Sequence, residues 1–172
     1  MSPLRRLLIA AIVIVTGAVG FATGRSVLRP ESVVIQPIAF SHQKHVEELE
    51  LECDTCHEYL SSGQHAGLPT LDTCLFCHEE PQTESSEEQK IRDLSAKGEV
   101  DVFRKLFRLA DHAFYSHRRH AIVAGIECST CHGAIAETSI PPTQPLVRID
   151  MDFCIDCHER ESVATDCTRC HR

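Results

Sequence analysis

Hydrophobic and polar positions divide the chain unequally. Leu7 to Gly24 is an eighteen-residue run without a charge, which as a helix at about 1.5 Å per residue covers about 27 Å, enough to cross a bilayer. It predicts an N-terminal transmembrane helix, within an anchor occupying residues 1–29. Further on, Glu87 to Lys97 reads as a helix ended by Gly98. Val102, Phe103, Leu106, Phe107 and Leu109 then recur near helical spacing, with Arg104, Lys105 and Arg108 on the other side. Core packing is the expected role of that stripe, and a basic docking face the alternative. Pro81 to Glu88 is polar and acidic and predicts an exposed loop. Elsewhere short helices, long loops and few strands are expected, so the fold class is mainly α with extensive loops. Apolar residues after position 24 are few for a conventional core. Something other than side chains must fill the interior.

A length of 172 residues fits one domain plus an anchor and excludes a large multidomain enzyme. Apolar content of 42% and charged content of 24% exclude disorder and a polytopic membrane protein. The chain has 17 Lys and Arg against 25 Asp and Glu. Residues 1–30 hold four of the basic residues (Arg5, Arg6, Arg25, Arg29) and no acid, so the remainder has 13 against 25, a balance of −12. Such an acidic body is unsuited to nucleic acid, whose binding relies on Lys and Arg at phosphates, and its soluble partners should present basic faces. Arg5 and Arg6 place the N-terminus in the cytoplasm by the positive-inside rule, although Arg25 and Arg29 weaken the asymmetry. Everything after residue 30 is expected on the periplasmic side of the cytoplasmic membrane. A cleaved signal peptide, cut near Ala18-Val19-Gly20, is the competing reading, but the apolar run exceeds the usual length of about 7–15 residues. Gly20 and Gly24 have the spacing that lets helix backbones approach, a hint of a membrane partner and no more.

All ten cysteines fall into five pairs, each followed by histidine: Cys53/Cys56/His57, Cys74/Cys77/His78, Cys128/Cys131/His132, Cys154/Cys157/His158 and Cys167/Cys170/His171. In C-x-x-C-H two thiols add to the vinyl groups of a haem and the adjacent histidine takes the iron, so the pattern predicts five covalently bound c-type haems. Zinc binding predicts no histidine after each pair, and five pairs do not divide into four-cysteine sites. With histidine at 11 of 172 positions, five coincidences have a chance of about one in a million. Structural disulfides fail on geometry, since cysteines three apart form a strained, reducible bridge. One porphyrin for about every 28 extracytoplasmic residues supplies the interior that side chains lack. Its propionates add to the acidity.

The motifs lie in an internal repeat. His42, His45, Cys53, Cys56 and His57 return at a constant offset of 75 as His117, His120, Cys128, Cys131 and His132, and Phe40-Ser41-His42 matches Tyr115-Ser116-His117. The second motifs, at Cys74 and Cys154, are offset by 80, with the extra residues expected around Pro141–Pro145. A duplicated two-haem unit plus a fifth haem is expected: a first module over residues 30–80, a linker with an amphipathic helix over 81–111, and a three-haem module over 112–172. Distal ligands come from the remaining histidines. His42 and His45, like His117 and His120, are three apart and project from one side of a turn. His65 completes the favoured set. His112, beside Asp111, and Met151, three residues before Cys154, are further distal candidates for which ordinary structural roles are expected. No residue is assigned as a catalytic acid, base or nucleophile.

The Phe-Ser-His-x-x-His lead-in before C-x-x-C-H resembles the class III multihaem cytochromes c. The order His42-x-x-His45, Cys53 motif, His65-Ala-Gly-x-Pro-Thr70, Cys74 motif, Tyr115-Ser-His117-x-x-His120, Cys128-Ser-Thr-Cys-His-Gly133, Met151-x-Phe-Cys154 motif and terminal Asp166-Cys167 motif is similar to the pentahaem cytochrome subunit of alternative complex III and related quinone-linked complexes. That resemblance implies a membrane-anchored electron-transfer subunit, not an enzyme by itself, in a quinol-oxidising respiratory or photosynthetic complex. Its implied partners are an integral quinol-interacting subunit and an iron–sulfur or molybdopterin-type subunit. It also implies His42, His45, His65, His117 and His120 as distal ligands. Phe153 stands before Cys154 where the family has Trp, and the chain has no Trp. The competing functions are a stand-alone quinol dehydrogenase feeding a periplasmic reductase, a multihaem enzyme with one open iron, and a metal-storage or zinc module.

Overall fold

The computed structural model describes residues 3–27 and 33–171, which form two units, residues 1–32 and 33–172. Arg29, the anchor boundary expected at residue 29 and the terminal Arg172 lie outside the described residues. The first unit is one helix, α1, Pro3–Val27. Proline at its first position needs no backbone partner there. Leu8, Ile12, Val13, Val15 and Phe21 are exposed along it, and Pro3–Phe21 has a mean hydropathy of 2.0. Thr16 returns its hydroxyl to the carbonyl of Ile12 at 2.9 Å, which satisfies the polar atom within an apolar stretch. Among the described residues this is one helix long and apolar enough to span a membrane, a test that a signal sequence also passes.

The second unit is built from short helices joined by loops, with no strand among the described residues. Its side-chain core is small: Ile38, Leu71 and Ile91 are buried, with Cys74, Leu75, Leu94, Val102 and Phe103 packed against them. Leu71 opens α2, Leu71–His78, and Ile91 lies on α3, Ser86–Ser95. Ser85 caps α3 by accepting from the Glu87 amide at 3.2 Å, and Gly98, at φ +80°, ends the turn that follows. The helix expected over Glu87–Lys97 therefore runs slightly earlier.

Two sequence expectations are corrected here. Glu88 belongs to α3 and is buried at 6% exposure, not part of a solvated loop. It accepts from the amides of Gln82 at 2.6 Å and Thr83 at 2.9 Å and so folds the Pro81–Ser85 segment back over the helix. The stripe over Val102–Leu109 is not helical. The side-chain amide of Gln36 donates to the Arg104 carbonyl at 2.7 Å and accepts from its amide at 2.9 Å, while Val100 offers its carbonyl to Leu71. These outside partners, with β-branched Val102 and two phenylalanines, favour extended backbone over an internal hydrogen-bond ladder. Core packing does hold: Val102 and Phe103 join the core cluster, and Phe107 meets the His132 ring edge-on at 4.5 Å.

The two histidine pairs sit at matching wide helical turns, Gln43–Glu48 and Arg118–Val123. Contacts agree across the offset. Phe40 stacks on His45 at 4.4 Å and Tyr115 on His120 at 4.6 Å. The turns are closed by Leu51 donating to His45 and Ile126 donating to His120, both at 3.0 Å. Glu50 and Gly125 occupy equivalent left-handed positions, φ 54° and 66°. Each turn is pinned by the other half: Gln43 donates to the Thr138 carbonyl at 3.1 Å, and His117 donates to the Gln64 carbonyl at 3.0 Å.

Candidate haem-binding sites

Each C-x-x-C-H lies on a single turn or short helix, so that cysteines three apart face the same way. The first is the turn Cys53–Thr55, the second is the end of α2, and the third is α4, Cys128–His132. The fourth lies on α5, Met151–Arg160, where Asp150 caps the helix by accepting from the Phe153 amide at 3.0 Å. The fifth is α6, Cys167–Cys170. None of the ten cysteines is paired in a disulfide.

Thiol electrostatics show which motifs adjoin. Burial pushes Cys74 up to about 11, with Cys56 adding to the shift. Cys56 is itself raised by burial and then by Cys77. Cys53 is raised by burial and then by Cys128, its hydrogen-bond partner. Cys131 is raised by burial and then by Cys157. Cys154 is raised by burial, then by Cys131 and Cys170. The motifs therefore adjoin in the order second, first, third, fourth, fifth. A cavity of about 270 Å³ lies between the first two, lined by Cys56, Tyr59, Gly67, Pro69 and Thr73.

Within the second motif the two thiols differ in exposure: Cys77 is exposed, whereas Cys74 is half-buried against the side-chain core. Residues three apart on a helix share a face but are separated by about 4.5 Å along its axis. Cys74 therefore sits beside the buried Leu71 turn, and Cys77 lies farther along α2, at its surface and towards Cys56. Cys53, Cys128 and Cys167 are exposed as well.

The histidines are held in one protonation pattern. Nδ1 of His45 is 2.8 Å from the Ser41 carbonyl, Nδ1 of His120 2.9 Å from that of Ser116, and Nδ1 of His117 3.3 Å from that of Gln64. A carbonyl only accepts, so Nδ1 carries a proton, and in the neutral ring the lone pair is that of Nε2. Nδ1 of His42 is 3.3 Å from the Thr138 hydroxyl. His57 is held likewise, 2.7 Å from the Gly67 carbonyl. Burial, then His57 and His45, brings His42 down to about 4. Burial is also the main cause that lowers His117 and His132. Neutral imidazoles with a fixed tautomer are what a metal requires.

Motif and non-motif histidines face each other. Ring centres of His45 and His78, His117 and His132, and His120 and His158 are each 6.2 Å apart. Two metal–imidazole bonds of about 2 Å, plus about 1 Å from each nitrogen to its ring centre, give about 6 Å across one iron. His112 faces His171 at 5.2 Å, because Ala113 pairs with His171 and Phe114 donates to the Cys170 carbonyl at 2.7 Å. His42 and His57 are close enough to interact electrostatically. His65 is exposed and lies near His117; among the described residues it makes no ring contact with a motif histidine. Met151 is 61% exposed at the start of α5, while His120 faces that helix's His158. The placement of His112 beside His171 depends on the distant Ala113–His171 pairing. Among the described residues no group of three His, Cys, Asp or Glu could hold a metal ion by itself, which disfavours zinc sites. Paired thiols, histidines engaged through Nδ1, and ring pairs spaced for one iron between them fit haem.

These features are compatible with covalent haem held between paired imidazoles. Residues 25–101 match the class III cytochrome C family, and residues 113–172 match cytochrome c7 and related cytochrome c. The chain is also similar to the menaquinone reductase multihaem cytochrome c subunit of Nitratidesulfovibrio vulgaris, 30% identical over 118 residues, covering 63% of this chain and 56% of that one. The chain thus spans little more than half the length of this curated relative. Its two halves are thus each similar to multihaem cytochrome c sequence.

Proposed function

We propose that the chain is a membrane-anchored, extracytoplasmic pentahaem electron-transfer subunit of a quinone-linked complex. The carrying observation is that motif histidines face non-motif histidines, at 6.2 Å in three pairs. Two imidazoles on each iron leave no position for a substrate, which disfavours an enzyme with an open haem. Bound haem supplies one-electron oxidation and reduction. The chain's own residues do the rest. Ten thiols, Cys77 among them, fix the group covalently; His57, His78, His132, His158 and His171 are the proximal ligands. His42, His45, His117 and His120 are distal, and His112 completes the set in place of His65. The carbonyls of Ser41, Ser116 and Gln64 hold protons on Nδ1 and present Nε2 to iron. The adjoining order of motifs is suited to short transfers.

A membrane partner is supported by the relative's role as a menaquinone reductase subunit and by the apolar helix α1. The implied assembly is of the alternative complex III type or a sister of it, with an integral quinol-interacting subunit and an iron–sulfur or molybdopterin-type subunit. Purification from membranes tests this reading. Five haems per chain by pyridine haemochrome, only low-spin ferric signals by EPR, and co-purifying membrane subunits are expected. Far fewer haems, or a high-spin signal that binds cyanide, would overturn it. Isolation as a lone active quinol dehydrogenase would assign the stand-alone alternative.

A further inference from the structure

We propose that Glu88 is a positioning residue for the proximal ligand of the second haem, its buried carboxylate accepting a hydrogen bond from Nδ1–H of His78 and lowering that haem's reduction potential. The inference rests on haem being bound at the second motif. Nδ1 of His78 is buried without a directed hydrogen bond, and Glu88 Oε1 lies 3.2 Å away. Histidine on a metal donates its other ring N–H to an acceptor almost without exception, and a small turn of the ring brings this one into line.

The carboxylate is held for the task. Its Oε1 accepts from the Gln82 amide at 2.6 Å, and its Oε2 accepts from the Thr83 amide at 2.9 Å and the Thr83 hydroxyl at 2.6 Å. Arg92 reaches Oε1 at 3.2 Å and also donates to the His78 carbonyl at 3.2 Å, tying the carboxylate and the ligand's backbone to one guanidinium. Glu88 and Arg92 are one helical turn apart on α3, so this helix serves as a brace behind the haem motif on α2.

This arrangement differs from those of the first and fourth motifs. His57 and His158 face the backbone carbonyls of Gly67 and Ala164, at 2.7 and 3.4 Å. A carboxylate withdraws the ring proton more strongly than a carbonyl, makes the imidazole a stronger donor to iron and favours the ferric state. The second motif also lies at one end of the series of adjoining motifs, where a low potential would mark a donor end.

EPR-monitored redox titration of the membrane-extracted protein tests this, with haem counted separately by pyridine haemochrome. Glu88→Gln should raise the reduction equilibrium of one of the components by about tenfold, 59 mV for one electron. Arg92→Gln, which removes the opposing cation and leaves the carboxylate, should lower the same component. Opposite shifts separate charge on the ligand from loosening of the fold, which would move both variants the same way. Loss of five-haem stoichiometry in the wild type defeats the haem reading itself. Full stoichiometry with the component unmoved, or with both variants shifted alike, overturns the role of Glu88 alone. Should Glu88→Gln not assemble, an unshifted Arg92→Gln also overturns it.

Discussion

Gly67 and Gly125 show how a single residue can be constrained in two degrees. Both have positive φ, 81° and 66°, but a Cβ at Gly67 would lie 2.8 Å from the Tyr59 ring, whereas at Gly125 it meets nothing within 4 Å. Gly125→Ala should cost about 1 kcal/mol from backbone strain. Gly67→Ala should add about 1–3 kcal/mol of overpacking and displace the carbonyl that fixes His57. Thermal unfolding of the two variants should rank them in that order. For the distal histidines, His112→Ala should open one iron and produce a high-spin ferric signal, and His65→Ala should leave the EPR spectrum low-spin. The reverse result would restore His65 as ligand. The placement of each cysteine pair on one turn or short helix was legible in the sequence because C-x-x-C-H is a local pattern. How deeply each thiol sits was not: Cys77 and Cys74 look equivalent in the motif, and only the packing of Leu71 separates them. The His45 and His120 positions were legible because a repeat doubled the signal. His112 was not, since no spacing along the chain announces a pairing with His171.

At the scale of elements, α2 and α3 share the protein's own apolar core. Leu71 is 0% exposed, and Leu71→Ala should destabilise the protein by about 3 kcal/mol, read from denaturant unfolding. Glu87 holds a second junction: it accepts from the Ala39 amide at 2.7 Å, ahead of the first histidine turn, and from Lys90 at 2.6 Å. These bonds, the Ala39 amide foremost, hold its carboxyl below the usual carboxylate range. A depressed acid stabilises the fold above its unfolded pKa, and the contribution is lost as pH falls through the folded value. Glu87→Gln should therefore cost about 1 kcal/mol near neutral pH and progressively less under acid conditions, when the two proteins are compared by unfolding across pH. Helix α3 could be read from its cap and terminal glycine. The Val102–Leu109 stripe could not, because its periodicity was helical while its hydrogen bonds came from Gln36, far away in sequence.

For the whole molecule, the sequence announced an apolar N-terminal helix and a shortage of ordinary core, and both appear. The grouping of the first two motifs followed from the repeat, whereas the approach of Cys53 to Cys128 between the halves was not legible in the sequence. Retention of α1 has a direct check: N-terminal sequencing of detergent-extracted protein should read from the first residues of the chain and not from the vicinity of Phe21. The acidic body should also associate with a basic electron partner at a rate that falls steeply with added salt, measurable by stopped flow.

The reciprocal pinning of the two histidine turns bears on biogenesis. His42 meets Thr138 across 96 residues, and His117 meets Gln64 across 53. A polypeptide emerging N-terminus first must therefore wait for its later half before the opening turn can lock. Through that interval the early cysteines remain open to the attachment machinery. Splitting the gene between the halves would yield two fragments, each deprived of the clasp that the other supplies.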